Sequence, residues 1–160
     1  MVQRIFIPIL ISFILIVIQL VVVPLISING IVPNVVLIYL LFNSLKQGQI
    51  VGTIFAFFIG FIYDFSSGGL IGSGMFAFTI AAFVAGYFYK DSFIEIIKNI
   101  KILISLIVLS SILFFFFYSV LGNNGAILQN HFSDFMFSIL SALYTTLLAL
   151  SIYFFRWKKS

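Results

Sequence analysis

The sequence has 160 residues, of which 63% are hydrophobic and 8% are charged, with a formal net charge of +4. A soluble domain has about 25% charged residues, so this chain cannot cover its surface with polar groups and belongs in lipid, as one integral membrane domain over residues 1–160. Cysteine is absent, which excludes disulfides and thiolate metal sites, and the basic residues stand singly at helix ends, which argues against a nucleic-acid partner.

The long apolar runs predict an all-α polytopic membrane protein, because lipid requires each span to satisfy its own backbone. Six spans are expected, at about 5–27, 33–45, 49–64, 70–89, 102–121 and 133–155. The first run is too long for the core of a secretory signal, so it is interpreted as a retained span. The second span is short, and a re-entrant segment is the alternative there.

Positive charge supports the six-span arrangement. With the N-terminus and the C-terminus both cytoplasmic, the inner segments contain every basic residue of the chain: Arg4, Lys46, Lys90, Lys98, Lys101, Arg156, Lys158 and Lys159. A single span over 33–64 would instead bury Lys46 in the bilayer. Tyr153 and Trp157 fit an aromatic belt at the inner interface.

Small residues recur every four positions along the third span and end at an acid. The members of this stripe are Gly48, Gly52, Ala56, Gly60 and Asp64. The fourth span carries a matching series, Ala77, Ala81 and Ala85. Such stripes let two helix backbones approach closely in lipid. They predict an antiparallel helix pair inside a monomer, and a homodimer interface is the alternative.

Asp64 is the only charged residue between Lys46 and Lys90. A turn rich in serine and glycine follows it, and the Ser66 and Ser67 hydroxyls and glycine amides are expected to donate hydrogen bonds to the carboxylate. This interpretation makes Asp64 a tie for the turn. Contact with a ligand or partner, or proton or ion coupling, remains an alternative, because ionisable residues inside membrane spans are functional candidates.

Two further segments have amphipathic or close-packing patterns. Residues 91–101 are predicted to form an interfacial helix whose lysines contact anionic headgroups or a cytoplasmic partner. In the sixth span, a second stripe at helical spacing either seals the core or receives the transmembrane helix of a partner. Its members are Ser138, Ala142, Thr145 and Ala149.

Side chains that could support catalysis are sparse. Asp64, Ser66, Ser67, His131 and Asp134 would share the outer side, so a Ser/His/Asp site is conceivable, but no nucleophile-elbow pattern accompanies them. Residues 131–134 are typical of a helix start capped by Ser133 or Asp134. One histidine and two distant acids do not form a metal cluster, and no Walker pattern is present. We expect no enzymatic activity, no metal and no cofactor.

Two segments together carry a family resemblance: PNVVLI at 33–38 and GFIYDFSSGGLIG at 60–72, separated by a polar break at 46–48. They resemble the rod shape-determining protein MreD family, most specifically over 33–90. The resemblance implies a noncatalytic, multi-pass scaffold of the bacterial cell-elongation (rod) complex in the inner (cytoplasmic) membrane, where it supports peptidoglycan synthesis and cell shape. The implied partners are MreC, bound by helix packing, RodA with a class B penicillin-binding protein, MreB and membrane lipids.

The family fold is similar to the substrate-binding subunits of energy-coupling-factor vitamin transporters. That likeness supplies a rival function, a small-molecule-binding membrane subunit of such a transporter. Its pocket would open outward near Asn34, Tyr63, Asp64, His131 and Asp134.

Overall fold

The computed structural model describes residues 2–89, 99–122 and 131–157. Within these ranges the chain is all-helical, and the prediction of an all-α protein with six helices is confirmed. The helices are α1 Val2–Val21, α2 Val35–Gln47, α3 Gln49–Ser67, α4 Ser73–Tyr87, α5 Ile100–Gly122 and α6 His131–Trp157. Most of the predicted interfacial helix, 91–98, lies outside the described residues, and Ile100 and Lys101 belong to the first turn of α5.

Two of the helix ends that differ from the predicted span ends have clear physical causes. α1 ends at Val21 and a short 3-10 helix, Val23–Ile26, follows it, because Pro24 has no backbone N–H with which to continue the α-helix. α3 continues past the predicted end at 64, and Gly68 caps it in the left-handed conformation with φ +66°. The helix therefore extends three residues beyond the predicted end of the third span.

Among the residues that the structure describes, three helices are long and apolar enough to cross a membrane: Gln49–Ser67, Ile100–Gly122 and Phe135–Phe155. The other apolar helices are shorter, at Ile7–Val21, Val35–Gln47 and Ser73–Tyr87. The short helices lie against longer neighbours, since α4 packs against α3 and α5 and α2 packs against α3 and α4. Neighbouring long helices can therefore shield them from lipid.

The core is formed around α2 and α4. Leu37 and Leu41 of α2 and Phe78 of α4 are fully buried, and the Phe78 ring lies 4.5 Å from that of Phe114 on α5. α1 packs against α2 and α3 at one edge of the bundle, and α6 packs against α5 and α2. Large apolar side chains remain exposed on the outer faces of α1, α3 and α6, as expected of a surface that meets lipid.

Candidate helix-packing site

α3 and α4 are in backbone contact at both ends. A Cβ added at Gly60 of α3 would lie 2.6 Å from the Cα of Met75 and 2.9 Å from the carbonyl oxygen of Gly74. Near the opposite end, a Cβ at Gly86 of α4 would lie 2.5 Å from the Cα of Gln49. Only glycine fits at these crossings, so dispersion contacts between the two backbones hold the antiparallel pair together.

The small residues of α3 contact two different helices. Gly52 packs against Ser44 of α2, where an added Cβ would overlap the Ser44 Oγ and lie 2.6 Å from the Ser44 Cα. Gly48 forms the link between α2 and α3, and its φ of +92° favours glycine. The stripe is therefore divided, because Gly52 faces α2 and Gly60 faces α4.

The other small residues of the stripes on α3 and α4 are also buried inside the bundle. Fully buried alanines occupy these positions: Ala56, Ala77, Ala81 and Ala85. The small-residue surface is thus occupied within the chain. These stripe positions are therefore in contact with the chain's own helices and are not exposed to a second copy or to the helix of a partner.

Asp64 joins the last turn of α3 to the first turn of α4. Its carboxylate is 1% exposed and accepts hydrogen bonds from the backbone amides of Gly72 at 2.8 Å, Gly74 at 2.8 Å and Met75 at 3.0 Å. The first amides of a helix lack intrahelical partners and carry the positive end of the helix dipole, so a carboxylate stabilises them. Gly74 must lack a side chain, because a Cβ there would overlap Oδ1 of Asp64.

The two serines after Asp64 do not bind its carboxylate as predicted. Ser67 donates its hydroxyl hydrogen to the backbone carbonyl of Asp64 at 3.2 Å, and Ser66 is exposed. The prediction was wrong for the serines, because both continue α3 as its final turn. The glycine amides do bind the carboxylate, and they come from the turn beyond Gly68 and the start of α4.

An aromatic cluster lies beside Asp64. The buried Tyr63 ring meets Phe78 edge-on at 5.3 Å and Tyr118 at 6.4 Å, and Tyr118 stacks on Phe114 at 5.5 Å. These rings connect α3, α4 and α5 at one end of the bundle. Phe114 and Tyr118 belong to an aromatic run whose packing partners the sequence did not identify.

A second polar tie connects α1, α2 and α6. Asn34 caps α2 by accepting a hydrogen bond from Leu37 N at 2.8 Å, and its own N–H donates to Thr145 Oγ1 of α6 at 3.0 Å. Gln19 of α1 donates from Nε2 to the carbonyl of Pro33 at 2.9 Å and accepts from Val35 N at 2.8 Å. The amide of Gln19 thus satisfies two backbone groups at the entrance to α2.

Sequence reasoning missed Gln19. The available signal was its position as the only polar residue in the apolar run 13–26. A lone amide in such a run needs hydrogen-bond partners once it is buried, and the start of a short neighbouring helix offers unpaired groups.

The stripe on α6 also packs inside the chain. Ser138, Ala142, Thr145 and Ala149 are all buried, and the Ser138 hydroxyl donates to the carbonyl of Phe115 on α5 at 3.5 Å. Of the two functions considered for this stripe, sealing the core is the one that the contacts support.

Three residues of the predicted outer pocket have described side chains. Asn34, Tyr63 and Asp64 are each buried, and their side chains contact different neighbours within the bundle. His131 and Asp134 belong to the first turn of α6, and their side chains lie outside the described part of the structure.

These features define an all-α protein in which three of the described helices are long and apolar enough to cross a membrane, and in which buried polar groups join the helices to one another. The chain matches the family model for the rod shape-determining protein MreD over residues 1–158, and it belongs to the MreD family. Its role therefore lies in rod shape determination. Neither the curated proteins nor the solved structures provide a match. The likeness to transporter substrate-binding subunits stays a prediction.

Proposed function

We propose that this chain is a noncatalytic scaffold of the cell-elongation complex in the cytoplasmic membrane. It holds MreC there and, with it, RodA, a class B penicillin-binding protein and MreB. The family match over 1–158 carries the proposal. The buried polar residues support it, because Gln19, Asn34, Asp64 and Thr145 all bind backbone groups and so join helices.

The proposed orientation has six spans with both termini in the cytoplasm. Lys46 at the end of α2 and Lys101 in the first turn of α5 are both exposed. α3 and α5 each run antiparallel to α4, so these two lysines lie at the same end of the bundle. Positive charge at one end favours the cytoplasmic face.

The mechanism that we propose is lateral packing of the MreC transmembrane helix on the outer face of α3. The small-residue stripes on α3, α4 and α6 are all occupied internally, which favours another surface for a partner. Exposed apolar side chains form a ridge along the whole of α3, here called the α3 ridge: Ile50, Ile54, Phe58, Phe61 and Phe65. Aromatic side chains offer large contact areas and are enriched in protein interfaces.

Co-purification tests this proposal. Wild-type chain should recover MreC and the synthase from bacterial membranes without an added ligand. Replacing Phe58 and Phe61 together with alanine should reduce MreC recovery and produce rounded cells. Phe13→Ala on α1 and Leu147→Ala on α6 remove similarly exposed side chains from other faces and are the matched controls. Unchanged recovery with the Phe58/Phe61 variant, or equal loss with the controls, would contradict the assignment.

A further inference from the structure

The connector between α1 and α2, residues 22–34, exposes an unusual amount of apolar surface. Leu25 is 82% exposed and Ile28 is 60% exposed. No charged residue occurs between Arg4 and Lys46, so the connector is uncharged, and the only charges of the adjoining helices lie at their far ends, Arg4 in α1 and Lys46 in α2. Loops that project into water are normally rich in polar residues, because their backbone and side chains are hydrated.

Within the connector, local hydrogen bonds satisfy part of the backbone. Leu25 N donates to Val22 O at 3.0 Å and Ser27 N donates to Pro24 O at 3.2 Å. Ile28 and Ile31 exchange two bonds of 3.2 and 2.9 Å across a tight turn, in which Asn29 and Gly30 have φ of +51° and +81°. Pro24 and Pro33 have no N–H to satisfy.

Side chains from α1 and α6 satisfy further backbone groups of the connector. Gln19 binds Pro33 O and Val35 N, and Thr145 accepts from Asn34 N. Tyr144 donates its phenolic hydrogen to the carbonyl of Ile26 at 3.0 Å. In water, solvent would satisfy these groups without help. In hydrocarbon each unsatisfied backbone group is costly, and internal pairing of this kind is required.

Because α2 is shorter than α3, the connector meets α2 at a level that lies short of the C-terminal end of α3. The two helices run antiparallel from the Gly48 link, as the contact of Gly52 with Ser44 shows. α2 has 13 residues and α3 has 19, a difference of six. At about 1.5 Å per residue, α2 begins about 9 Å short of the far end of α3. The connector therefore starts from a level beside the last turns of a membrane-spanning helix.

We propose that the connector is embedded among the acyl chains of the adjacent lipid leaflet, with Leu25 and Ile28 in direct contact with lipid. Only the turn at Asn29 and Gly30 reaches the headgroups, which accounts for an exposed polar side chain at its tip. In the proposed orientation this is the outer leaflet. The inference does not depend on MreC binding.

Nitroxide spin labelling tests the embedding. The natural chain has no cysteine, so single-cysteine variants need no background substitutions. Leu25→Cys, Ile28→Cys and Asn29→Cys are labelled in proteoliposomes of phosphatidylethanolamine and phosphatidylglycerol. Leu147→Cys on the outer face of α6 is the lipid control, and Lys46→Cys is the aqueous control. The measured quantity is the ratio of the collision rate with oxygen to that with a water-soluble nickel chelate.

The expected ratio at positions 25 and 28 is several-fold higher than at 46 and lies on the lipid side, at or somewhat below that at 147, and position 29 gives a value between those of 28 and 46. A ratio at positions 25 and 28 equal to that at position 46 would show the connector in water and overturn the proposal. Low collision rates with both reagents would show that protein covers the connector, which overturns it equally. Size-exclusion elution identical to wild type shows that each variant is folded.

Discussion

Gly60→Ala adds one methyl group at the closest approach of α3 and α4. The new Cβ would lie 2.6 Å from Met75 Cα, whereas ordinary van der Waals contacts of a Cβ begin at 3.4 Å. The opposing atoms belong to the backbone, so no change of side-chain rotamer relieves the overlap. The helices must separate by about 0.8 Å at this point, in an interior that is close-packed.

The free energy of unfolding should fall by about 2–4 kcal/mol. Overpacking of a well-packed core costs about 1–3 kcal/mol. Moving α4 also lengthens the 2.8 Å hydrogen bond between Gly74 N and Asp64. A hydrogen bond to a charged group contributes about 1.5–3 kcal/mol, and part of that contribution would be lost.

The assay is equilibrium unfolding of the purified chain in mixed micelles, with Gly122→Ala as the matched control. Gly122 is also a helical glycine, but nothing lies within 4 Å of a Cβ built there. Its replacement should change stability by less than about 0.5 kcal/mol. Equal stability of the two variants would refute backbone contact between α3 and α4.

Three other substitutions test the polar ties by the same unfolding assay. Asp64→Leu leaves the amides of Gly72, Gly74 and Met75 unpaired and should cost at least about 3 kcal/mol, whereas Asp64→Asn retains an acceptor oxygen and should cost about 1 kcal/mol. Equal losses would instead indicate a role for the charge itself. Gln19→Leu leaves Pro33 O and Val35 N unpaired and should lower the free energy of unfolding by about 2 kcal/mol. Hydrogen exchange at the Val35 amide should become faster. Unchanged exchange would argue against the tie. Thr145→Val removes the acceptor for Asn34 N and should lower the free energy of unfolding by about 1 kcal/mol. Thr146→Val should cost less, because the Thr146 hydroxyl donates to Ala142 O within α6. The reverse order of the two losses would contradict the α2–α6 tie.

The sequence was sufficient for the helix count and the family. Spacing alone shows that Gly52, Ala56 and Gly60 share a helical face, since that depends only on helix geometry. It does not show which neighbour each residue meets. The division of this face between α2 and α4 depends on how the helices cross, which is a property of the assembled bundle.

The polar ties were less predictable for a related reason. Asp64 could be recognised as a local tie because its partners lie within 11 positions along the chain. Thr145 binds Asn34 across 111 positions, and no local pattern connects them. The end of α3 was misplaced because serine favours turns, whereas here Ser66 and Ser67 extend the helix up to the left-handed Gly68.

The internal use of both small-residue stripes bears directly on function. The small residues of these stripes contact the chain's own helices. The surface that remains exposed presents large apolar side chains at fixed positions. Such a surface suits lateral attachment of a membrane-anchored partner.

Cysteine cross-linking to MreC in bacterial membranes tests this account most directly. Single cysteines at Phe58 or Phe61 on the α3 ridge, and at Leu147 on α6, are each combined with a cysteine scan of the MreC transmembrane helix. The account predicts cross-links from positions 58 and 61, at helical intervals along MreC, and none from position 147. Cross-links of equal yield from all three positions, or from position 147 alone, would contradict it.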